Sequence, residues 1–360
     1  MQFTRGPDRP HRFKTLVDRE VDRIKKGDKE VVAWLIADLH LHHLPSWRLQ
    51  WCQDFMDDMH VLREEWVDGK PWFVFMGDVF EMKDRLDARV ADQFLSFVCQ
   101  DDNAAWITGQ HDTYVPGKAT LGGLRYSMFV VDGKSSAISM GDWLAYTVPF
   151  ARDLGYYRQM LDSVPDDALV LTHMPIYESL QQFHPDPDTM VHAKEFDRFF
   201  WTYAGDIHNH QTHGRFTYIG APSQRDWRDQ GVDGKIGVLY ADKSFERISV
   251  QHPVHIKIRT ETHVNQLLQR QSIEVPTVYK IIGDIEPSKL ELIKDIDGVL
   301  GVEWIPPELS TDRPIEELKI EGLGSDKDLI DDYIASSDLP EGLSKELVLE
   351  AGLGLCDSKD

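Results

Sequence analysis

The stretch VVAWLIADLHLHH, Val31 to His43, runs apolar and then stops in Asp38, one spacer and His40. A carboxylate and an imidazole are costly groups to place at the end of a buried strand, where Gly or Asn would turn the chain with less desolvation. The pattern recurs four times. WFVFMGD ends in Asp78, AAWITGQHD in Gln110, His111 and Asp112, LVLTH in His173, and FWTYAGDIH in Asp206 and His208. Asp and His bind divalent cations and carry protons near neutral pH. Two such cations about 3.5–4 Å apart need a bridging carboxylate, further O and N donors, and open positions for water and phosphate. The mix of Asp, His and one amide, without Cys, fits Mn²⁺ best and admits Mg²⁺, Fe²⁺ or Zn²⁺. Asp at a strand end is by itself ordinary turn chemistry; it is the fivefold recurrence that points to a metal.

Asp38 and His208 are 170 positions apart, so the fold must collect these side chains. The apolar runs Val31–Ala37, Trp72–Met76, Ala104–Thr108, Ala168–Thr172 and Trp201–Ala204 predict strands. Between them lie helical patterns: Trp51, Phe55, Met59, Leu62 and Trp66, then Leu86, Val90, Phe94 and Phe97. Strand–helix alternation predicts an α/β fold, and in parallel or mixed sheets the carboxyl ends of the strands share one ligand-binding rim. Shorter strands follow in RFTYIGAP, KIGVLYA and ERISVQHP, with a turn at Val232-Asp233-Gly234. A short charged helix over Arg12 to Lys26 belongs to an N-terminal extension, residues 1–30. The α/β domain is expected over 31–254 and a smaller α+β unit over 255–322, with two amphipathic helices in the tail, 323–360.

The chain has 360 residues, enough for a large core and two units. It has no apolar run long enough to span a bilayer and no secretory leader pattern. Cys52, Cys99 and Cys356 have no metal-type spacing and suit a reducing compartment. The net charge of −22 argues against binding phosphate backbones. Half of that excess lies in Glu303–Asp360, with 16 acidic and 5 basic side chains, while the first thirty residues carry a net of +3.

In order, Asp38-Leu39-His40, Gly77-Asp78, Gly109-Gln110-His111-Asp112, His173 and Gly205-Asp206-Ile207-His208 resemble the motifs of the calcineurin-like metallophosphoesterase family. The resemblance covers most of residues 31–210. It implies a β-sandwich core flanked by helices and two metal ions. One ion would be held by Asp38, His40, Asp78 and His208, the other by Asp78, Gln110, His173 and Asp206, with Asp78 bridging. His111 would contact the phosphate and protonate the leaving oxygen, making His111 and Asp78 the catalytic pair. Two positions depart from the family pattern. Gln110 stands where Asn is usual, and Asp206 replaces the first His of G-H-x-H, which should tighten a hard ion. His210 and His213 are not expected to substitute for that imidazole.

Within the family, the chain is most similar to the nuclease subunit of SbcCD-type DNA repair complexes, including phage versions. ADLHL, GDVFEMKD and RFTYIGAPSQRDWRD carry that likeness, with Glu81 in place of the usual Asp or His. It implies a Mn²⁺-dependent phosphodiesterase cutting DNA, a capping domain after residue 255, a homodimer, and a bacterial or phage-infected host cytoplasm. An SMC-like ATPase partner would dock on Leu329, Ile330, Tyr333, Ile334, Leu343 and Leu347. Arg48, Glu81, Arg225 and Arg228 are candidate DNA contacts, with Trp47 and Trp227 placed to stack on a base. Gly133-Lys134-Ser135 lacks the first Gly of a P-loop and reads as a hairpin turn, so no nucleotide site is expected in this chain. The alternatives are a phosphatase or nucleotide pyrophosphatase for small molecules, or a scaffold subunit that kept the fold and one metal.

Overall fold

The computed structural model describes residues 13–42, 44–66, 71–81, 88–99, 103–115, 118–119, 129–229 and 231–305. The chain falls into two compact units, Met1–Pro306 and Pro307–Asp360. The second lies outside the described residues, and with it the expected docking positions from Leu329 to Leu347. Among the described residues no helix is long and apolar enough to cross a membrane.

The strands are β1 (Val31–Ile36), β2 (Trp72–Met76), β3 (Ala104–Ile107), a short pair β4 (Thr113–Val115) and β5 (Lys118–Ala119), and β6 (Phe129–Val131). Then come β7 (Ser136–Met140), β8 (Trp143–Val148), β9 (Leu169–His173), β10 (Trp201–Gly205), β11 (Gln211–His213) and β12 (Phe216–Tyr218). The series ends with β13 (Lys235–Tyr240), β14 (Phe245–Ser249), β15 (Val254–Ile258), β16 (Ser272–Ile282) and β17 (Asp297–Ile305). The helices are α1 (Asp18–Lys25), α2 (Ser46–Glu65), α3 (Ala88–Val98), α4 (Leu154–Asp162), α5 (Tyr177–Leu180), α6 (Glu261–Leu268) and α7 (Pro287–Lys294).

Two six-stranded sheets form the body, in the orders β14-β13-β1-β2-β3-β6 and β11-β12-β10-β9-β8-β7. Within the first, β1, β2, β3 and β6 run parallel; within the second, β8, β9, β10 and β12 do. Parallel strands are covered on both faces and read as unbroken apolar runs, as Val31–Ile36 does with all six residues buried. The two faces of β1 therefore serve different cores, with a register shift between Val31 and Ala33. Val32, Ala33 and Leu35 pack between the sheets with Val74, Ala105, Leu171 and Tyr203. Trp34 and Ile36 face outward onto Trp51, Phe55 and Met59 of α2 and Phe94 of α3. On the far side, Tyr157 and Leu161 of α4 cover β9 and β10. The result is a mixed α/β sandwich with a helical layer on each side.

Two expectations change. Residues 13–25 are not an extension outside the fold. Val21 and Ile24 of α1 join the outer core, Leu16 bridges Val250, and the Thr15 N–H and hydroxyl both donate to Asp58 (2.8 and 2.7 Å). Burying those two α1 side chains contributes roughly 3–6 kcal/mol. The Gly133-Lys134-Ser135 segment is not a hairpin turn either. It carries the chain from β6, at the edge of one sheet, to β7, at the edge of the other, which lets residues far apart in sequence face each other across the sandwich.

The smaller unit is a parallel sheet β15-β16-β17 crossed by α6 and α7. Its core comes from Ile258, Val264, Leu267, Tyr279, Ile281, Leu290 and Ile293. The Thr260 hydroxyl accepts the His263 N–H and starts α6 two residues before the expected position. This sheet belongs to the same compact unit as the sandwich.

Candidate metal centre

Each of the five parallel strands β1, β2, β3, β9 and β10 ends at the same rim, and each delivers the residues quoted from the sequence. The backbone there is unusual. Asp38 (φ 51°), His40 (φ 45°), Asp78 (φ 49°) and Asp206 (φ 96°) all have positive φ. That conformation costs a side-chain-bearing residue about 1–2 kcal/mol, and such strain concentrates where side chains must converge. Asp38 N–H and His40 N–H donate to the carbonyls of Gly77 and Asp78 (3.1 and 2.9 Å), continuing the β1–β2 ladder past the strand ends. The Asp206 N–H donates to both oxygens of Asp38 (2.9 and 3.1 Å), joining the two sheets.

Four imidazoles are oriented alike. His173 Nδ1 lies 2.8 Å from the Met76 carbonyl, and His111 Nδ1 lies 2.8 Å from the Glu81 carbonyl. A carbonyl only accepts, so both Nδ1 atoms carry the proton and both Nε2 atoms present a lone pair. His208 Nδ1 is 2.8 Å from a carboxylate oxygen of Asp229, and His40 Nδ1 is 2.9 Å from one of Glu81, somewhat off the line of a good hydrogen bond. All four Nε2 atoms therefore point inward. His40 Nε2 and His208 Nε2 face each other at 3.2 Å. His173 Nε2 is fully buried with no hydrogen-bond partner, 3.4 Å from Asp78 Oδ1 and 3.7 Å from Asp206 Oδ1.

Lone pairs aimed at lone pairs and at carboxylates repel unless a proton or a cation lies between them. Two donors bonded to one cation at about 2.1 Å, with octahedral or tetrahedral angles, are about 3.0–3.4 Å apart. The His40–His208 and His173–Asp78 separations fall in that range. Two sets of side chains can each converge on a cation: Asp38, His40 and His208, and Asp38, Asp78 and His173. A third set, His40, Glu81 and His111, uses the outer face of His40. The donor chemistry, the orphaned His173 nitrogen and the spacing all fit a divalent metal.

Without a cation, protons bear the charge. Burial alone would lower His173, but Asp78, Asp38 and Asp206 raise it well above the usual histidine value. Burial would raise Asp78; the imidazoles of His173, His40 and His111 overcome it and hold the carboxyl below the ordinary range. Asp206 is pushed up to about 7 by burial, with His173 opposing and the charges of Asp38 and Asp78 adding to it.

Glycines make room for this packing. A Cβ on Gly77 would sit 2.1 Å from His173 Nδ1, and one on Gly109 would sit 2.2 Å from Asp78 Oδ1. Asp112 ties the loops together. It is fully buried, and one oxygen accepts from the Val79 and Phe80 N–H groups (2.9 and 3.2 Å). The other accepts from Gly109 N–H and Trp106 Nε1 (both 3.0 Å). The loops after β2 and β3 are thereby fixed to each other, and the His111 N–H donates to Asp78 Oδ1 at 2.8 Å.

Other candidates fall out differently. Gln110 is exposed and reaches the group through its amide, which donates to Asp206 Oδ1 at 3.3 Å. His210 turns away to the Tyr218 carbonyl, and His213 to Gln211. Glu81, expected to meet DNA, instead backs His40. Arg48 was expected in a loop near substrate. It lies on α2, 3% exposed, and donates to Ser223 Oγ, Gln224 O and Leu39 O (2.8, 3.0 and 3.3 Å). It is a buried strut, not a phosphate contact. Arg225 is held between Glu81 and Asp226 (3.8 and 3.7 Å). Arg228 is exposed and paired with Asp226. Trp47 and Trp227 pack edge-on against His255. Asp229, which backs His208 and also accepts the Arg225 N–H, was not anticipated; a lone Asp at the end of a single 3-10 turn, Trp227–Asp229, carries no periodic signal. No family profile matches the chain, and no curated protein is significantly similar to it in sequence.

Proposed function

We propose that the chain is a metallophosphoesterase of the calcineurin-like type, hydrolysing phosphodiester bonds in DNA as the nuclease subunit of an SbcCD-type complex. The observation that carries this reading is the inward set of imidazole lone pairs among buried carboxylates at one rim. When bound there, a pair of divalent cations, Mn²⁺ above all, would acidify a water for attack on phosphorus and neutralise charge on the phosphoryl group. Asp38, His40, Asp78 and His208 would hold one, and Asp78, His173, Asp206 and Gln110 the other. Asp229 fixes the tautomer of His208 from outside, and a Glu81 carboxylate oxygen lies 2.9 Å behind His40 Nδ1. His111 is 33% exposed. With its Nδ1 proton committed to the Glu81 carbonyl, its Nε2 is free to carry a proton to the leaving oxygen. The carboxylate of Asp78, anchored by the His111 N–H, ties that proton carrier to the metal ligands.

The DNA substrate is supported by exposed Arg228, by Trp227 beside Lys280 (5.7 Å), and by the small parallel sheet next to them. An SMC-like ATPase partner and a homodimer belong to the same proposal. A second reading, a small-molecule phosphodiesterase, draws on the net charge of −22 and on the burial of Arg48. The test is Mn²⁺-dependent turnover of an end-labelled duplex, with and without a candidate ATPase, beside bis-p-nitrophenyl phosphate. Cleavage of the duplex that is lost in Asp78→Asn and His111→Ala supports the nuclease. Turnover of the small ester alone supports the second reading. Wild-type rates in His111→Ala would remove His111 from the mechanism.

A further inference from the structure

The chain passes from β6 to β7 on one side of the sandwich, linking the two sheets there. On the other side the edge strands β14 and β11 are not joined, and a cleft of about 440 Å³ opens between the sheets. That volume suits a small ligand. Phe200, Trp201, Tyr203 and Phe245 give the cleft aromatic walls, and Lys243 of the β13–β14 turn lines it too. Phe200 precedes β10 and Asp206 follows it. At the rise of a strand those residues are roughly 20 Å apart, so the cleft is distinct from the metal rim.

Most polar groups in the cleft are satisfied. Trp201 Nε1 donates to Thr217 Oγ1 (3.1 Å). Glu246 accepts from Arg23 (2.7 Å), Arg247 pairs with Asp233 (2.9 Å), and His210 Nδ1 donates to the Tyr218 carbonyl (2.8 Å). Two donors are left over among the described residues. Tyr203 is 5% exposed; burial alone raises the pKa of its phenol, with no hydrogen bond to oppose it. Lys243 Nζ has no carboxylate beside it and rests over the rings of Trp143 and Phe200 (5.5 and 5.2 Å). A ligand that completes the cleft must bring a flat ring, an acceptor for the phenol and a negative charge for the ammonium. Phe200, 43% exposed, offers that ring a face. A pyrimidine nucleotide has all three: a base that stacks, carbonyl oxygens and a phosphate. One unpaired ammonium matches one phosphate, not the run of phosphates along a strand.

We infer that this cleft binds a free pyrimidine mononucleotide, independently of the metal centre. The base stacks on Phe200, a base carbonyl accepts from the Tyr203 hydroxyl, and the phosphate meets Lys243.

Calorimetry on metal-free full-length protein in EDTA, titrated with dTMP, tests this without turnover. One site per chain with a Kd below about 1 mM is expected. Phe200→Ala should weaken binding about fivefold or more. Tyr203→Phe keeps the ring packing and should weaken it about threefold to tenfold. Lys243→Ala should weaken dTMP about threefold or more and leave the weaker binding of thymidine unchanged. Far-UV circular dichroism confirms that each variant is folded. Absence of dTMP binding, or equal binding to the parent and all three variants, would overturn the inference. A thymidine octanucleotide that binds more tightly than dTMP would make the cleft a strand contact and overturn it too. None of these results bears on the metal centre.

Discussion

Gly77→Ala tests whether the rim is packed as tightly as its geometry requires. The added Cβ would fall 2.1, 2.4 and 2.8 Å from Nδ1, Cγ and Cβ of His173. His173 is fully buried between the sheets and cannot withdraw without giving up its bond to the Met76 carbonyl. Three costs add. The backbone at φ +89° is unfavourable to Ala by about 1–2 kcal/mol. Overpacking costs about 1–3 kcal/mol. The broken buried hydrogen bond costs about 1 kcal/mol or more. The sum is about 3–6 kcal/mol, less about 0.4–1 kcal/mol from the stiffer unfolded chain. Gly141 supplies the control. It has φ +71° with nothing within 4 Å of an added Cβ, so Gly141→Ala bears the backbone cost alone. Urea unfolding of the metal-free proteins should place Gly77→Ala about 2–4 kcal/mol below Gly141→Ala. The Gly77 variant should also bind Mn²⁺ more weakly by calorimetry. Equal stabilities, within about 0.5 kcal/mol, would mean that the imidazole is not wedged against this backbone.

Asp112→Asn turns an amide NH₂ toward two of the four N–H groups that Asp112 accepts. The loss of those bonds is partly offset by removing a buried charge. Burial, with the Asp78 charge adding to it and the N–H donors opposing, pushes that carboxyl up to about 6. A net destabilisation of about 1–3 kcal/mol is expected in denaturant unfolding, together with weaker Mn²⁺ binding. His255 governs part of the acid sensitivity. Burial first, then the charges of Arg48 and His252, lower its pKa to about 4, against the pull of Asp226 and Asp229. The unfolded chain binds its proton near 6.5, so stability is full above that pH and falls as pH drops from 6.5 to 4, by up to about 3 kcal/mol. His255→Phe should flatten that slope in unfolding measured at pH 5 and 7; an unchanged slope would exclude His255 as its source. Arg48→Met leaves three acceptors without a donor and should cost about 2–4 kcal/mol of stability. It should not change the salt dependence of any DNA binding, which a phosphate contact would.

The buried strands are the part of the fold most legible in sequence. Trp72–Met76 has the expected bounds, and the other four strands shift by one residue at one or both ends, because β-branched and aromatic runs covered on both faces leave no polar position to confuse the period. The β7–β8 pair was not anticipated, since Ser136–Met140 alternates weakly and its Gly-Lys-Ser approach looks like a tight turn. The ligand candidates could be read because each follows its strand directly in sequence. Their supports could not. Asp229 and Glu81 act through contacts across loops, and Arg48 was misplaced because a basic residue after a metal motif looks like a phosphate contact. Only the docking of α2 against the 223–224 loop shows it to be internal.

The ladder from Asp206 N–H to Asp38 joins residues 168 positions apart, and the facing His40 and His208 nitrogens have the same separation. A chain being synthesised can assemble neither pair until β10 has left the ribosome and the second sheet has closed on the first. Contacts of such long range form late and at a high entropic cost. Fragments ending before residue 206 would thus hold the β1, β2 and β3 loops with half their partners missing. The Asp38, Asp78 and His173 set is complete by residue 173, but the Asp38, His40 and His208 set is not, so the capacity to hold two ions would arrive only with completion of the sandwich.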